Sequence, residues 1–260
     1  MKTVEAKQFM TKTKLGENAL TCNPYLGCSH GCTYCYAKTL NYQKQDKVWG
    51  SFVYQRVFPH YDIPKGTGEK ELFLSSMTDA YQPSEIQTQA TRKVLEAVKE
   101  SHLHINILTK SSLVLRDLDL FKQMKHIQIG FSIGLEEQDA LLFEPNASSV
   151  SQRIEALKKL KAEGISTYVF ISPIIPYISN VKNIIDLVKD SVDYLMFDTL
   201  NLIDFDNRMF HYQMLEKHYK HVLEPTKKIY ESKDYRFFKQ LKQEILEQTE
   251  KYQLNVKYIF

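Results

Sequence analysis

The chain has 260 residues, of which 43% are hydrophobic and 25% are charged. These proportions are those of globular proteins, and they exclude a short disulfide-stapled module, a globally disordered chain and a collagen or coiled-coil fibre. Lysine and arginine together number 34, against 31 aspartate and glutamate residues, so the formal charge of +3 is too small to indicate a polyanionic partner.

The amino-terminal 18 residues mix charged and apolar side chains and contain no apolar core of a secretory signal. We therefore expect a cytoplasmic protein. The most apolar later stretch, residues 168–178, is interrupted by Pro173 and Pro176. It is also shorter than the roughly 20 residues of a spanning helix, so no membrane segment is predicted.

Short apolar runs alternate with longer stretches of helical periodicity, which predicts repeated βα units around a parallel sheet. The predicted strands cover residues 19–22, 71–75, 104–108, 127–133, 166–171 and 192–197. Between them, Ser84 is expected to cap a helix whose apolar stripe comprises Ile86, Ala90, Val94, Leu95 and Val98. Ser149 and Gln152 form a capping-box pattern before a helix that Gly164 ends. Two further helices are predicted over residues 112–124 and 180–189.

Beyond residue 200 the pattern changes to two charged helical stretches, 209–222 and 234–252, and a strand-like segment over 254–260. Phe237, Leu241 and Ile245 recur at every fourth residue, which predicts a helix that covers one side of the barrel. We expect residues 201–260 to form a helical extension packed on a core of residues 1–200, within a single structural unit. The many lysines of this extension predict a solvated face.

All four cysteines lie between residues 22 and 35, so disulfides could not connect distant parts of the chain. Cys28, Cys32 and Cys35 have the spacing C-x3-C-x2-C, which favours metal ligation in a reducing compartment. An iron-sulfur cubane normally takes four thiolates, so three would leave one iron open to a small molecule. Gly27 and Gly31 can adopt positive φ, which lets the loop wrap tightly.

The three cysteines have two alternative uses. A zinc site is the structural alternative, although the second C-x2-C pair that is typical of zinc knuckles is absent from the sequence. A single nucleophilic thiol would not need three cysteines in one loop. The spacing therefore favours an open-site cluster over both.

The loop sequence NPYLGCSHGCTYCYA, with an aromatic residue just before the last cysteine, resembles the radical S-adenosylmethionine (radical SAM) enzymes. More narrowly, the chain resembles the spore photoproduct lyase-like branch, which is related to DNA repair photolyases. The stretches that carry this second resemblance are SSMTDAYQPSE, ILTKSSLVLRDLDLF, FEPNASSVSQRIEALKKLKAEGI and ISPIIPYISN. It covers most of residues 18–200 and implies an α/β fold, a partial (β/α)6 TIM-type barrel with ligands at the carboxyl ends of its strands.

The resemblance also implies a lyase-like chemistry. S-adenosylmethionine would chelate the open iron of a [4Fe-4S] cluster held by Cys28, Cys32 and Cys35. An electron from a reductant such as flavodoxin or ferredoxin would cleave it to methionine and a 5'-deoxyadenosyl radical, which removes a hydrogen atom from a substrate. That substrate is left open between nucleic acid, peptide and small molecule.

Residues that match family motifs near the strand ends are assigned to the cofactor. Thr78 and Asp79 would contact its ammonium or a hydroxyl, Lys110 would pair with its carboxylate, and Ser132 would reach ribose or carboxylate. Tyr34 and Tyr36 flank Cys35, and the resemblance implies packing on adenine or a hydrogen-atom relay. Packing around the loop is the alternative for both tyrosines.

The chain departs from the true lyase where that enzyme has a hydrogen-donating cysteine, because Ser76 stands there. A serine O–H is a much poorer hydrogen-atom donor than a thiol, which argues against photoproduct repair. Cys22 is the remaining thiol. It is interpreted as a small buried hydrophobic residue, and a catalytic role as hydrogen donor is the alternative hypothesis.

Several other polar residues are expected to have structural roles. Glu144 and Arg153 are interpreted as an ion pair, and His30 as a residue that turns the cysteine loop. Arg116 and Asp117 are expected to brace their own helix. Packing or surface roles are expected for the histidines His102, His104 and His126.

Aromatic and basic residues interleave over residues 47–56, from Lys47 to Arg56. These residues could stack on the bases and contact the phosphates of a nucleic acid, or they could form a packed edge strand. We slightly favour the interpretation without nucleic acid. Two further functions stay open: a nucleic-acid photoproduct lyase-like repair enzyme, and a non-catalytic metal-binding interaction protein. The presence of Thr78, Asp79, Lys110 and Ser132 argues against the second.

Overall fold

The computed structural model describes residues 1–39, 48–232 and 234–260. Its strands are β1 (Lys2–Glu5), β2 (Thr11–Lys12), β3 (Leu20–Cys22), β4 (Tyr25–Leu26), β5 (Tyr54–Val57), β6 (Glu71–Leu74), β7 (His104–Thr109), β8 (Ile127–Ser132), β9 (Ser166–Ile174), β10 (Tyr194–Thr199) and β11 (Val256–Ile259). Its α-helices are α1 (Glu85–Thr88), α2 (Ala90–Val98), α3 (Leu118–Phe121), α4 (Glu137–Phe143), α5 (Val150–Ala162), α6 (Val181–Val188), α7 (Phe205–His218), α8 (Lys220–Glu231) and α9 (Arg236–Lys251). Within these ranges, none of the helices has the length and apolar character needed to cross a membrane.

A sheet with the strand order β11-β10-β9-β8-β7-β6-β3-β2 forms the centre of the fold. All neighbouring strands from β3 to β11 pair in parallel, and β2 pairs antiparallel with β3. The sheet ends at β11 and β2 and does not close on itself. The six parallel strands from β3 to β10 and the helices between them form an open, partial (β/α)6 barrel, so the predicted fold class is confirmed.

The outer face of this sheet is the apolar core. Side chains that are in register on neighbouring strands share a face, and the outer set packs beneath the helices. Its members, each at most 2% exposed, are Leu72, Ile105, Ile107, Ile129, Phe131, Val169, Ile171, Leu195 and Phe197. Full burial of one such side chain stabilises a fold by about 1.5–3 kcal/mol, so this layer holds the strands and their carboxyl ends in place.

The inner face of the sheet begins with a polar layer at its amino-terminal end. Glu71 Oε1 accepts hydrogen bonds from the side-chain amides of Asn106 at 2.7 Å and Gln128 at 3.1 Å. The hydroxyl of Tyr168 donates to Asn106 Oδ1 at 2.8 Å, and that of Tyr194 donates to Gln128 Oε1 at 2.9 Å. The two tyrosine rings stack with centroids 4.8 Å apart. We call these five residues the polar floor.

Gly130 of β8 leaves the space that the Tyr168 ring of this floor occupies. A Cβ atom at residue 130 would lie 2.2 Å from the ring. Gly130→Ala is therefore expected to lower the free energy of unfolding by about 1–3 kcal/mol through overpacking, as measured by urea denaturation. In a Tyr168→Ala background the same substitution should have a clearly smaller effect. Equal destabilisation in both backgrounds would show that the ring is not responsible.

The helix predicted after Ser84 is divided into α1 and α2. Gln89 adopts a left-handed φ of 49°, and the buried Glu85 carboxylate accepts hydrogen bonds from two backbone N–H groups at the start of α2. A side-chain acceptor at this position satisfies amides that a helix start leaves free, so a new helix begins there. The prediction is wrong in two details: the side chain of Ser84 makes no cap hydrogen bond, and Ile86 is 62% exposed.

Other helices follow the sequence pattern more closely. Ser149 and Gln152 form the predicted capping box at the start of α5, and Gly164 has a φ of 77° just beyond its end. Asn180 caps α6: its side-chain oxygen accepts a hydrogen bond from the backbone N–H of Asn183. Residues 112–124 do not form one helix as predicted, because the segment Ser112–Asp117 is a 3-10 helix that precedes the short α3.

Among the described residues beyond 200 there are three helices and a strand, where two helices and a strand are predicted. Instead of one helix over 209–222, α7 and α8 meet at Tyr219. The Tyr219 ring stacks on Phe143 with centroids 5.8 Å apart, and its hydroxyl donates to Asp139 at 2.5 Å. These contacts to α4 hold the break in place. β11 extends the main sheet beside β10, and the division at residue 200 stays a prediction.

A second, three-stranded sheet with the order β1-β5-β4 is absent from the predicted elements. β5 lies in its centre, parallel to β1 and antiparallel to β4. The expected edge strand over residues 47–56 is therefore corrected: the strand there, β5, is central in its sheet, and Lys47 lies outside the described residues. Because β4 follows β3 almost directly, this small sheet stands beside the cysteine loop.

Candidate functional site

Cys28, Cys32 and Cys35 lie in the loop between β4 and a 3-10 helix over Tyr36–Thr39. Gly27 and Gly31 adopt φ values of 84° and 65°, so the loop wraps at the two glycines as expected. Burial raises the pKa of all three thiols in the free protein, and their charges are close enough to act on one another. Metal ions bind thiolates, so ligation would release these protons.

These three thiols are the candidate donor set of the site. Within the described ranges, no three His, Cys, Asp or Glu side chains surround a single point in the manner of a mononuclear metal site. A [4Fe-4S] cluster makes a different demand, because each cysteine binds its own iron atom. Three thiols in one wrapped loop, with Cys28 buried and Cys32 and Cys35 partly exposed, could therefore hold such a cluster and leave its fourth iron without a protein ligand.

Lys110 and Ser132 meet at the carboxyl ends of β7 and β8. Lys110 Nζ donates to Ser132 Oγ at 2.6 Å, and Ser132 Oγ donates to the carbonyl oxygen of Ser172 at 2.8 Å. The same ammonium is 3.9 Å from Glu144 Oε1, a distant ion pair. The structure thus brings two predicted cofactor residues together, and the ammonium retains donors for a ligand carboxylate.

Thr78 follows β6, and the neighbouring strand β7 ends one residue before Lys110. Its hydroxyl is buried and has no hydrogen-bond partner among the described residues. Buried polar groups in folded proteins are nearly always paired, so an orphaned hydroxyl here indicates a missing ligand or water. It is the clearest sign in this structure that a polar molecule fits at this end of the sheet.

Asp79 is already occupied by contacts within the chain. Its carboxylate accepts hydrogen bonds from the backbone N–H groups of Tyr81 and Lys110, both at 2.8 Å, and from the Thr109 hydroxyl at 2.7 Å. His30 Nδ1 of the cysteine loop lies 3.5 Å from its Oδ2. Asp79 therefore ties the cysteine loop to the strand ends. A direct bond to a cofactor ammonium would have to replace one of these contacts.

Glu144 and Arg153 form an ion pair beside the cysteine loop. Arg153 Nη2 lies 2.5 Å from Glu144 Oε2, each side chain is 1% exposed, and Arg153 also donates to the Ser132 carbonyl oxygen at 3.0 Å. The hydroxyl of Tyr34 donates to Glu144 Oε1. Burial alone would raise the pKa of Glu144, but Arg153 and Lys110 outweigh it and lower that pKa. The pair is the predicted ion pair, and through Tyr34 it also anchors the loop.

The two tyrosines beside Cys35 lie in different surroundings. Tyr34 is buried between Glu144 and Lys110, whose ammonium is 5.8 Å from the ring centroid, and burial raises the pKa of its phenol. Tyr36 is 53% exposed and donates a hydrogen bond from its hydroxyl to the Ser76 carbonyl oxygen at 2.8 Å. Tyr34 is thus a packing and bracing residue in this structure, whereas Tyr36 lies at the open edge of the site.

Cys22 faces away from the site. It pairs in register with Leu74, whose side chain belongs to the buried outer face, and burial raises the pKa of its thiol. Asn23, one residue later, points inward and donates to Ser76 Oγ at 3.3 Å. The hypothesis that Cys22 donates hydrogen in the site is therefore corrected: the strand backbone separates this thiol from the inner face.

The remaining polar candidates lie outside the site. Arg116 bonds Glu85 as well as Asp117, both at 2.7 Å, and Arg92 reaches Asp117 at 2.8 Å. These residues connect two βα units, so the expectation that they brace only their own helix is too narrow.

The histidines His102, His104 and His126 lie at the opposite end of the sheet. His104 begins β7, and its ring stacks on that of His126 with centroids 4.3 Å apart. His102 is exposed. Packing and surface roles are therefore what the structure shows for these side chains.

Two residues near the site are absent from the sequence-based cofactor and metal candidates. Asp198 lies on the inner face at the end of β10, and burial raises the pKa of its carboxyl group. Its one hydrogen bond within the described ranges is accepted from the Thr199 N–H at 2.8 Å. Trp49 lies against the cysteine loop. A lone acidic residue at the end of the apolar strand YLMFD could have indicated Asp198, but no local pattern indicates the contact of Trp49.

Comparison with known proteins agrees with this geometry. A sequence profile of the radical SAM superfamily matches residues 22–190. The chain is 38% identical over 206 residues to an uncharacterised protein of Methanocaldococcus jannaschii, a match that covers 76% of this chain and 77% of that protein. It is 26% identical over 163 residues to a radical SAM Nalpha-GlyT isomerase of Pseudomonas phage M6, which covers 61% of this chain and 34% of the isomerase.

Among solved structures, the fold is similar to spore photoproduct lyase with bound S-adenosylmethionine and a dinucleoside spore photoproduct. The TM-score is 0.61 at 18% sequence identity, over 82% of this chain and 66% of the lyase. The chain thus spans slightly less than two thirds of the lyase and about one third of the phage isomerase. The profile match covers well over half of the chain, which therefore belongs to the radical SAM superfamily, the enzymes that use S-adenosylmethionine.

Proposed function

We propose that the protein reductively cleaves S-adenosylmethionine at an open-site [4Fe-4S] cluster held by Cys28, Cys32 and Cys35, and abstracts a hydrogen atom from a substrate. When bound, the cluster would supply the electron that splits S-adenosylmethionine into methionine and a 5'-deoxyadenosyl radical. The observation that supports this proposal most is the orphaned buried hydroxyl of Thr78, at the same end of the sheet as the three thiols.

The chain's own residues would orient the cofactor. The Lys110 ammonium would neutralise the methionyl carboxylate, and Ser132, which already holds that ammonium at 2.6 Å, would keep it aimed into the site. The Thr78 hydroxyl would gain the partner that it lacks. Because Glu144 and Arg153 brace Tyr34, the cysteine loop would stay fixed while cofactor enters and products leave.

The substrate would bind on the inner face of the sheet, on the side of β10, where Asp198 lies. We propose a small one-electron donor, such as flavodoxin or ferredoxin, as the reductant, and a reducing, cytoplasmic location. The substrate class stays open between nucleic acid, peptide and small molecule.

Photoproduct repair is the weaker reading of the lyase likeness. The outward-facing Cys22 leaves the inner face without a thiol besides the three proposed ligands, since the sequence has four cysteines. Ser76, at the place of the lyase's donor cysteine, is held by Asn23. These contacts give no support to a thiol-based return of hydrogen to a product.

The test is anaerobic reconstitution followed by reduction. About four iron and four sulfide ions per chain, and 5'-deoxyadenosine formed from S-adenosylmethionine, are expected. Deuterated candidate substrates would then identify the molecule that loses hydrogen, through label transferred into 5'-deoxyadenosine. A protein that binds zinc alone and cleaves no S-adenosylmethionine would instead be a non-catalytic metal-binding protein.

The role of Lys110 gives a separate prediction. Lys110→Met removes the partner of the cofactor carboxylate and is expected to weaken S-adenosylmethionine binding by about 2 kcal/mol, or about 30-fold in Kd. The measurement is equilibrium binding to the reconstituted, unreduced protein. Lys158→Met is the matched control, because Lys158 is an exposed lysine paired with Glu155 on α5. An unchanged Kd in Lys110→Met with full iron content would remove Lys110 from the cofactor site.

A further inference from the structure

The inner face of the sheet becomes apolar above the polar floor on the side of β10. Ser132, Phe170 and Met196 lie in register on the neighbouring strands β8, β9 and β10. Ser132 belongs to the proposed cofactor end, whereas the apolar side chains of Phe170 and Met196 are partly exposed on this face. Accessible apolar side chains inside a concave site are available to pack on a ligand. The wall on the side of β10 can therefore hold the apolar part of a substrate.

Asp198 lies at the upper edge of this wall, two residues beyond Met196 on the same strand. Both side chains point inward, because Phe197 between them is fully buried on the outer face. The Asp198 carboxylate accepts a hydrogen bond from the backbone N–H of Thr199 at 2.8 Å, and it forms no ion pair with any residue that the structure describes. A partly buried carboxylate beside apolar side chains is stabilised most by an opposite charge. The described part of the chain does not supply one.

The ammonium of Lys110 lies on the other side of the site and does not serve this carboxylate. β8 and β9 separate β7, which Lys110 follows, from β10. Three strand spacings of about 4.8 Å amount to about 14 Å along the sheet. The ammonium is also turned toward Ser132 on β8, which it bonds at 2.6 Å. Lys110 and Asp198 can therefore bind two different ligand groups, one negative and one positive.

We propose that Asp198 is the substrate-recognition residue, and that the substrate presents to it a positively charged nitrogen, an ammonium or guanidinium group, at the end of an apolar stem. The inference rests on the proposed function and names the chemical class of its substrate. The stem would pack on Phe170 and Met196 while the charged end pairs with the carboxylate. A free alkylamine and a lysine or arginine side chain of a peptide share this chemistry. Both can enter above the polar floor by one end.

The experiment titrates probes into the reconstituted, unreduced protein with S-adenosylmethionine present, and follows their binding by saturation-transfer NMR. Pentylamine and a lysine tripeptide, with glycine on each side and blocked termini, carry the cation. Pentan-1-ol and the same tripeptide with norleucine are their neutral counterparts. At least one cationic probe should bind the wild type about tenfold more tightly than its counterpart, and Asp198→Asn should remove that preference. The cationic probe that binds distinguishes a free amine from a peptide.

Asp206→Asn is the matched control, because Asp206 is an exposed carboxylate in the first turn of α7. It should leave the affinity for every probe unchanged. Asp198→Asn keeps an acceptor for the Thr199 N–H and is expected to fold normally. A wild type that binds charged and neutral probes alike, or none of them, would overturn the inference, and so would an intact preference for the cation in Asp198→Asn. A protein that assembles no cluster, or forms no 5'-deoxyadenosine on reduction, would refute the proposed function itself.

Discussion

Replacing Cys32 with alanine is expected to abolish cluster retention and S-adenosylmethionine cleavage. Each cysteine of the loop binds its own iron in the proposed site, and with only two remaining thiolates the cluster would be lost on desalting. Changes in the outer shell of metal sites already reduce affinity or activity by about 10–100-fold, so loss of a direct ligand should exceed that range. The measurements are iron and sulfide content and 5'-deoxyadenosine formation under anaerobic reduction.

Cys22→Ala is the matched control for this prediction. It removes a thiol from the same part of the chain. This thiol lies on the outer face of β3 and is fully buried in the apolar core. The variant should hold about four iron ions and cleave S-adenosylmethionine at the wild-type rate. Wild-type cleavage by Cys32→Ala, or loss of the cluster in folded Cys22→Ala, would contradict the assignment of the ligands.

Arg153→Met is expected to destabilise the fold by about 3–5 kcal/mol. It would leave the Glu144 carboxylate buried without its main partner, and uncompensated buried charge is expensive. The measurement is urea denaturation of the metal-free protein at neutral pH. Lys158→Met on the same helix breaks only an exposed pair with Glu155 and should change stability by less than about 1 kcal/mol.

The double variant Arg153→Met with Glu144→Gln tests the cause. With the charge removed, a large part of the lost stability should return, and a double variant no more stable than the single one would disprove the explanation. The pH dependence has a definite sign. Because the pKa of Glu144 is lowered in the folded protein, its charged form stabilises the fold at neutral pH, and this contribution is lost as the pH falls. The effect of Arg153→Met should therefore shrink in acid.

The central sheet is predictable because its signal is local. The outer residues of β7 to β10 are apolar at every second position and lie under helices, so composition and alternation identify these strands directly. The capping box at Ser149 and the positive φ of Gly164 are local in the same sense. The cysteine spacing is equally local, so the sequence alone predicts a loop that wraps at Gly27 and Gly31.

What the sequence pattern misses depends on distant contacts. The break between α1 and α2 needs the buried Glu85 carboxylate, which Arg116 fixes from 31 residues away. The small sheet joins strands that lie about 50 residues apart, and β1 is largely exposed, so it shows no apolar alternation. The contact between residues 48–52 and the cysteine loop likewise joins two separate segments, which meet where the glycines let the backbones approach. The side chain of Asn23 points to the inner face of the sheet and that of Cys22 to the outer face. These directions follow from the strand register, which composition does not reveal.

The polar floor restricts how a substrate can reach the inner face of the sheet. Its amide, carboxylate and phenol groups satisfy one another across five neighbouring strands, so the inner face is blocked at its amino-terminal end. A polymer could not run along the inner face through this layer. A long peptide or nucleic acid would have to insert a single side group or a chain end from above, while a metabolite could enter whole.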